Sequence, residues 1–275
     1  MHQFYGFCFF YPNFEIKVDA VFRLKFFLFV IGLLSLFHGF SQKEPKIHSH
    51  NDYQQRIPFW EAFSAGAQSI EADVILKDGV LYVAHEEESI VAGYTLEPMY
   101  LLPLERVKKL YGDEHLQFQL LLDIKTESYA TLEAIMALLD QYISYLKPYN
   151  RTGVTVVISG NRPAESDYGN YPGYIQFDCQ NIAAMPGDQW GKVAMISTNF
   201  KNLSDWNGES SAPDLDKVTE FTLEAKKHFK PVRLWATPDT ELAWKTLMEL
   251  GVDFINTDHP QAVSDFIKSG SKLKN

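Results

Sequence analysis

Short apolar runs alternate with amphipathic stretches along most of this chain. The apolar runs are typical of β-strands, and the stretches between several of them repeat their apolar residues at helical spacing. The strand candidates are Gln68–Leu76, Val80–Ala84, Phe118–Ile124, Val154–Ser159, Tyr174–Phe177, Val193–Ser197, Val232–Trp235 and Val252–Ile255. The helix candidates are Tyr129–Leu146, Leu215–Phe229 and Thr240–Leu250, with Asp214 and Asp239 in positions suited to helix caps.

Strands that alternate with helices over about 230 residues indicate an α/β protein with a parallel sheet. About eight strands of this length favour a closed barrel over an open sheet. The segment Lys77-Asp78-Gly79 predicts a tight turn, and therefore one hairpin inserted after a barrel strand. Residues 42–275 form one predicted domain, and its two long loops, 160–174 and 199–213, are candidates for binding loops.

The first 41 residues have the charged, apolar and small-residue order of a secretory signal. Arg23 and Lys25 precede the uncharged run Phe26–Phe37, and Ser41 is a candidate cleavage site. The run is short for a membrane span of about 20 residues, although an uncleaved N-terminal anchor is the alternative. The sequence therefore predicts an exported protein, periplasmic or secreted, whose mature part keeps Cys179 as its single cysteine and has no internal disulfide.

The formal net charge of −10 argues against nucleic acid as a partner, because nucleic-acid binding normally needs a basic surface. The charge does not exclude a substrate that carries a phosphate. A bound divalent cation can reverse the sign of the local field.

Glu71 and Asp73 lie two residues apart on an apolar strand, so both side chains point to one face. Carboxylates directed into a barrel are strongly desolvated unless a cation meets them, and oxygen ligands suit Mg²⁺ or Ca²⁺. Asp123 and Lys125 follow a run of leucines with the same spacing and suit a third ligand and a phosphate-binding ammonium. The alternatives are a strand with its polar face in water for the first pair, and a salt bridge at a strand end for the second.

Three histidines lie near predicted strand ends. His50 and His85 suit proton transfer near neutral pH, and cleavage of a phosphodiester needs one group for the nucleophile and another for the leaving alkoxide. His48 shares a strand face with His50, which favours a supporting role. Arg162 follows another strand and could reach a phosphate, although a plain loop arginine explains it equally well.

The order of these residues resembles the PLC-like phosphodiesterase superfamily. His-Asn-Asp at 50–52, Glu-Ala-Asp at 71–73 and His-Glu at 85–86 are similar to the series found in glycerophosphodiester phosphodiesterases. The spacing of these motifs and Asp123-Ile-Lys125 resemble the sphingomyelinase D branch. The stretches 48–53, 65–74 and 78–85 together are most similar to a branch typified by a fungal mitochondrial-inheritance protein, and 233–238 and 251–260 resemble the closing strands of the superfamily. The resemblance covers most of residues 46–262 and is weak over 150–230.

The resemblance implies a TIM-type (β/α)8 barrel that cleaves a small-molecule or lipid phosphodiester. It implies that His50 and His85 are the catalytic acid and base, and that a divalent cation, Mg²⁺ or Ca²⁺, is held by Glu71, Asp73 and Asp123. Lys125 would bind the phosphate and Trp235 would line the pocket. Asn51 stands where the glycerophosphodiester branch has an arginine, and it joins Arg162 among the candidate substrate-binding residues.

Three other functions remain open on the sequence. A metal-independent phospholipase C on the same barrel would replace the cation with a basic side chain. An exported barrel could bind phosphorylated or lipid head groups without turnover. A glycoside hydrolase would use two carboxylates across a cleft, for which Glu71 and Asp123 are a possible pair.

Overall fold

The structure, a computed structural model, describes residues 45–210 and 214–272. The predicted signal segment, residues 1–41, lies outside the described residues. Among the residues described, none of the helices combines the length and the apolar character that a membrane crossing needs.

Within the described residues, nine strands belong to one sheet. They are β1 (Lys46–Ser49), β2 (Ser69–Lys77), β3 (Val80–Val83), β4 (Gln119–Ile124), β5 (Thr155–Gly160), β6 (Ile175–Cys179), β7 (Val193–Asn199), β8 (Val232–Trp235) and β9 (Phe254–Thr257).

Eight of these strands run parallel and close into a ring, because β1 pairs with both β2 and β9. His48 is the register partner of Ser69 on β2 and of Asn256 on β9. The remaining strand, β3, pairs antiparallel with the end of β2 and lies outside the ring. The predicted TIM-type barrel with one inserted hairpin is therefore confirmed. The hairpin turns at Asp78 and Gly79, both with positive φ, as the tight-turn sequence predicts.

The described residues also contain six α-helices. They are α1 (Trp60–Ala65), α2 (Leu102–Tyr111), α3 (Ser128–Leu139), α4 (Asp216–Lys227), α5 (Glu241–Glu249) and α6 (Pro260–Lys272).

The helix predicted over Tyr129–Leu146 is shorter than expected, because the chain continues from α3 as a 3-10 helix over Asp140–Tyr145. The capping role predicted for Asp239 is wrong. The Thr240 side chain accepts the hydrogen bond from the Ala243 amide at the start of α5. The Asp239 carboxylate instead accepts hydrogen bonds from the Thr257 hydroxyl and the Asp258 amide.

The barrel strands alternate their side chains between the helices and the barrel interior. On β2 the buried residues Ile70, Ala72 and Val74 belong to the main apolar core, so Glu71 and Asp73 face the interior. A separate apolar cluster fills the amino-terminal end of the interior, formed by Leu121, Val157, Met195 and Phe254. The polar interior residues therefore collect at the carboxyl ends of the strands, where TIM-barrel active sites lie.

Candidate active site

Three carboxylates from two neighbouring strands form an acidic cluster at the carboxyl end of the barrel. One oxygen from each of Glu71, Asp73 and Asp123 lies within 4.8 Å of the others. Asp73 and Asp123 are register partners on β2 and β4, and Glu71 lies one inward-facing position below. Burial and the negative charge of Glu71 raise the pKa of Asp123 to about 6. The arrangement concentrates negative charge in a poorly solvated place.

The cluster fits a hard cation on its donor chemistry. The Oδ1 atom of Asp73 is buried and accepts no hydrogen bond from the residues that the structure describes, which is costly unless a positive group faces it. The ammonium of Lys125 is one such group, at 3.3 Å from this oxygen and 3.1 Å from Asp123 Oδ1. Burial would lower the pKa of Lys125, but Asp123 and Asp73 raise it. Lys125 is therefore a charged donor at the edge of the cluster.

Glu71 lies against two buried basic side chains. Its Oε2 atom is 2.6 Å from Arg233 Nη2 and 2.6 Å from His48 Nε2. Burial alone would raise the pKa of Glu71, but Arg233 and His48 hold it well below its usual range. Burial and the charge of Arg233 lower the pKa of His48 to about 3, so this imidazole is neutral. His48 supports Glu71 from inside the barrel, in agreement with the role that its strand position favoured.

His50 is oriented by the carboxylate of Asp258, which directly follows β9. Its Nδ1 atom donates a hydrogen bond of 2.8 Å to Asp258 Oδ1, and its backbone amide donates to Thr257 O. Burial would lower the pKa of His50, but the hydrogen bond to Asp258 raises it overall. Asp258 is itself fixed through its amide to Asp239 and through its carbonyl to the Gln55 side chain. The bond to Asp258 leaves His50 Nε2 for a reacting group.

His85 has a matching arrangement on the other side of the cluster. Its Nδ1 atom lies 2.7 Å from Asp73 Oδ2, which also accepts a hydrogen bond of 2.9 Å from the hydroxyl of Tyr53. Burial and the negative charge of Asp73 raise the pKa of Tyr53, so the phenol keeps its proton and remains a donor. Asp73 therefore connects His85, Tyr53 and the acidic cluster.

The structure does not bring all the predicted substrate-binding residues into this network. Arg162 donates to Tyr168 and to the carbonyl of Gly160, a residue beside Asp123. Asn51 has a positive φ of 44° directly after His50, and its side chain accepts a bond of 3.4 Å from Tyr53. Trp235 is the half-buried last residue of β8. The roles of these three residues stay predictions.

Several residues of the site were not predicted. Tyr53, Arg233 and Asp258 each contact a predicted site residue directly. Arg233 had a sequence signal, since an arginine within a short buried strand needs a charged partner. Asp258 directly follows β9, much as Asp123 lies near the end of β4, and the same reasoning could have found it. Tyr53 lies in an irregular segment and had no such signal.

A further buried carboxylate, Asp178 on β6, lies on the part of the barrel wall next to β4 that is formed by β5, β6 and β7. Its Oδ2 atom accepts hydrogen bonds from Ser159 at 3.0 Å and from Ser197 at 2.6 Å. These bonds join β5, β6 and β7, and they hold this wall in register. Ser159 is the register partner of Asp123, so the Asp178 group adjoins the acidic cluster.

Two family models match segments of this chain that carry residues of the candidate site. The AIM6-like phosphodiesterase domain matches residues 42–115, which carry His50, Glu71, Asp73 and His85. The glycerophosphoryl diester phosphodiesterase family matches residues 231–261, which carry Arg233 and Asp258.

Two fungal relatives illustrate the similarity over the whole barrel. Altered inheritance of mitochondria protein 6 of Eremothecium gossypii is 29% identical over 270 residues, covering 80% of this chain and 69% of the relative. Its homolog in Arthroderma benhamiae is 28% identical over 272 residues, covering 80% of this chain and 83% of the homolog.

Solved structures share the fold at low sequence identity. A glycerophosphodiester phosphodiesterase from Parabacteroides distasonis aligns with a TM-score of 0.55 and 15% identity, covering 82% of this chain and 98% of that one. An Oleispira antarctica phosphodiesterase, in complex with the product sn-glycerol-3-phosphate, aligns with a TM-score of 0.50 and 18% identity over 82% and 97% of the two chains. The resemblance predicted from the sequence is confirmed: this chain is similar to the PLC-like phosphodiesterase superfamily and, within it, to the AIM6-like branch.

Proposed function

We propose that this protein is a phosphodiesterase that depends on a divalent cation and uses His50 and His85 for proton transfer. The observation that carries the proposal is the pairing of each histidine with a carboxylate at Nδ1, on either side of the acidic cluster. Such pairing fixes the tautomer and the ring orientation of both imidazoles. Each Nε2 atom is then available to give or take a proton.

Glu71, Asp73 and Asp123 would hold the cation, Mg²⁺ or Ca²⁺. When bound, the cation supplies charge stabilisation for the phosphoryl oxygens. Lys125 adds a second positive charge beside Asp73 and Asp123, where it can bind a phosphate oxygen. Together these groups would draw an anionic substrate into a protein whose net charge is −10.

The two histidines divide the proton transfers between them. One imidazole accepts the proton of the attacking hydroxyl, either water or a hydroxyl group of the substrate itself. The other donates a proton to the oxygen of the leaving alcohol. Asp258 and Asp73 stabilise the imidazolium forms and keep the rings aligned, and Tyr53 fixes Asp73 in turn.

The substrate class we propose is a glycerophosphodiester or a phospholipid-type phosphodiester. The Oleispira antarctica phosphodiesterase that shares this fold is described with the product sn-glycerol-3-phosphate, which supports the class by analogy. Asn51 and Trp235, at the ends of β1 and β8, are the candidates for contacts with the alcohol groups.

One observation favours a second candidate, a metal-independent phospholipase C. Every acid of the cluster already has a basic neighbour, since Arg233 contacts Glu71, and Lys125 contacts both Asp73 and Asp123. Three carboxylates nevertheless exceed two permanent cations by one negative charge. A bound divalent cation would balance that excess charge. Turnover measured with and without a chelator distinguishes the two candidates.

The test is turnover by the full chain on a panel of phosphodiesters. The panel holds glycerophosphodiesters, lysophospholipids and bis(p-nitrophenyl) phosphate, each assayed with EDTA, Mg²⁺, Ca²⁺ or Mn²⁺. We expect turnover that EDTA abolishes, that a divalent cation restores, and that His50→Ala and His85→Ala each reduce about 10²- to 10⁴-fold. Turnover that persists in EDTA would establish the metal-independent candidate instead.

A second comparison separates catalysis from binding. If the folded protein turns over no phosphodiester with any cation, a function in binding phosphorylated or lipid head groups is favoured over catalysis. Unchanged turnover in the double variant His50→Ala/His85→Ala would remove the histidines from the mechanism. His115→Ala is the matched control, because His115 is a histidine on the 3-10 helix Asp113–Leu116, away from the cluster.

A further inference from the structure

Arg233 and His48 use the same oxygen of Glu71. Both hydrogen bonds, each of 2.6 Å, end on Oε2, and all three side chains are buried. Two donors occupy the two lone pairs of that oxygen. The hydrogen bonds among the described residues leave Oε1 unused, so Glu71 has one oxygen left for a ligand.

Arg233 is held in this position from two sides. Its Nε atom donates a bond of 2.9 Å to Asn256 Oδ1 on β9, while Nη2 donates to Glu71 on β2. The guanidinium is planar, so the bond to Asn256 fixes the direction of Nη2. A lysine at this position could supply the charge but could not hold both partners in one rigid plane.

The other two carboxylates are restricted in the same way. Asp73 gives Oδ2 to Tyr53 and His85, while its Oδ1 accepts no hydrogen bond from a described residue and has the Lys125 ammonium at the longer distance of 3.3 Å. Asp123 gives Oδ1 to Lys125 at 3.1 Å. Each acid of the cluster therefore presents one oxygen and has the other committed to a protein donor.

Carboxylates that each have one oxygen available for a ligand suit Mg²⁺ better than Ca²⁺. Mg²⁺ takes six ligands in near-ideal octahedral geometry, mostly single oxygens and waters, whereas Ca²⁺ takes six to eight and readily accepts both oxygens of one carboxylate. We propose that Arg233 is a positioning residue that restricts Glu71 to one oxygen and thereby makes the cluster prefer Mg²⁺ over Ca²⁺. This inference rests on the proposed cation-dependent function.

The test is the ratio of the Mg²⁺ and Ca²⁺ dissociation constants, measured on the full chain by isothermal titration calorimetry. Loss of the Arg233 charge strengthens the binding of both ions, so either constant alone reports only electrostatics. The ratio reports whether Oε2 has become available. We expect the wild-type protein to favour Mg²⁺ and Arg233→Met to shift the ratio at least about tenfold toward Ca²⁺.

Two further variants and a control sharpen the result. Arg233→Lys keeps the charge and a donor, and we expect its ratio to stay closer to that of the wild-type protein. Asn256→Ala removes the anchor of Nε but keeps the arginine, so it serves if Arg233→Met does not fold, and its ratio should shift in the same direction. Arg56→Met is the control, since this side chain is 87% exposed and, within the described part of the chain, has its ion pair with Glu61.

The outcomes distinguish the inference from the function on which it rests. If the wild-type protein binds Mg²⁺ and the variants change both constants equally, Arg233 acts through charge alone and the inference is overturned. A wild-type preference for Ca²⁺ overturns it as well. If the wild-type protein binds neither ion, the cation-dependent function fails and the inference falls with it.

Discussion

His50 and Asp258 share a hydrogen bond of 2.8 Å across 208 residues of sequence. The histidine follows the first barrel strand and the aspartate follows the last. The two residues meet because β1 and β9 are neighbours in the closed ring. The bond gives the best-defined geometric basis for assigning a proton-transfer role to His50.

Replacing Asp258 by asparagine should reduce turnover and lower the pKa of His50. Asparagine keeps the size of the side chain but loses the charge that stabilises the imidazolium, and it can reverse the tautomer. We expect a fall of about 10- to 100-fold in kcat, part of the total contribution of a proton-transfer group. NMR titration of the His50 ring measures the pKa directly. We expect this pKa to be lower in Asp258→Asn, because Asp258 raises it in the wild-type protein.

The matched control is Asp265→Asn, which removes an exposed carboxylate of α6 that pairs with Gln261. A pKa of His50 that is equal in the wild-type protein and in Asp258→Asn would show that the hydrogen bond does not set the pKa of this histidine. Lower turnover with an unchanged pKa would point to loss of orientation alone.

Gly160 lies against Asp123 of the acidic cluster. Replacing it by alanine should therefore add a steric clash to the backbone strain that a positive φ causes. Its φ is +68°, and a Cβ atom there would collide with Asp123 Oδ1 and with the backbone of Ile124. Gly79 has a similar φ of +75° but open space around it. Gly79→Ala should cost about 1–2 kcal/mol of unfolding free energy from strain. Gly160→Ala should cost a further amount of about 1–3 kcal/mol and also reduce turnover, because Asp123 must move.

Urea denaturation of both glycine variants, together with phosphodiesterase assays, checks this prediction. Equal destabilisation of the two proteins would mean that the contact between Gly160 and Asp123 is easily relieved. Loss of turnover in Gly79→Ala would mean that the hairpin contributes to catalysis.

Asp52 should make the protein less stable as the pH rises from about 4 to 6. Its buried carboxyl accepts hydrogen bonds from Ser49, Tyr100 and the Phe59 amide, yet burial raises its pKa from 3.8 to about 6. In that window the folded state binds more protons than the unfolded state, so the stabilising effect of the proton is lost as the pH rises through 6. At 1.36 kcal/mol per pKa unit, the difference is about 3 kcal/mol at most.

Urea denaturation at pH 4, 5, 6 and 7 measures this dependence, with Asp52→Asn as the comparison. The variant cannot ionise, so the difference in unfolding free energy between it and the wild-type protein should change across this window and level off above pH 7. A constant difference would contradict the prediction. Asp265→Asn again serves as a control, since its carboxylate is on the surface.

The predicted export signal has a direct test. If residues 1–41 form a cleaved signal, the protein purified from its native compartment should begin at Gln42. N-terminal sequencing or intact-mass measurement decides between cleavage and a retained anchor. A mature protein that starts at Met1 would contradict the prediction.

The sequence predicted the barrel and the acidic cluster well, because both depend on local patterns. The two-residue spacing of Glu71 and Asp73 fixes one strand face, and the spacing of Asp123 and Lys125 fixes another, whatever the rest of the chain does. Short helices were missed, since α1 has only six residues and too few turns to show a period. The longer helices α2 and α6 were missed as well, although α6 buries Val263 and packs Phe266 and Ile267 against the core.

Contacts across the barrel could not be predicted from spacing. Arg233 and Glu71 are 162 residues apart, and they meet only because the closed interior brings β8 and β2 together at the same depth. The commitment of Glu71 Oε2 to two donors is likewise a property of the assembled interior. The sequence of one strand alone does not show that Glu71 has one carboxylate oxygen available for a ligand.

The pairing of β1 with β9 has a consequence for how this protein is made. A growing chain that has been synthesised as far as residue 250 already contains His50, His85 and all three carboxylates of the cluster. It still lacks β9 and Asp258, so β1 has a partner on one edge only and His50 has no carboxylate. Such contacts between distant parts of the chain form late and slowly. The geometry of the candidate site is therefore complete only when the final strand closes the ring, and we expect truncated products to lack that geometry while carrying nearly every residue of the site.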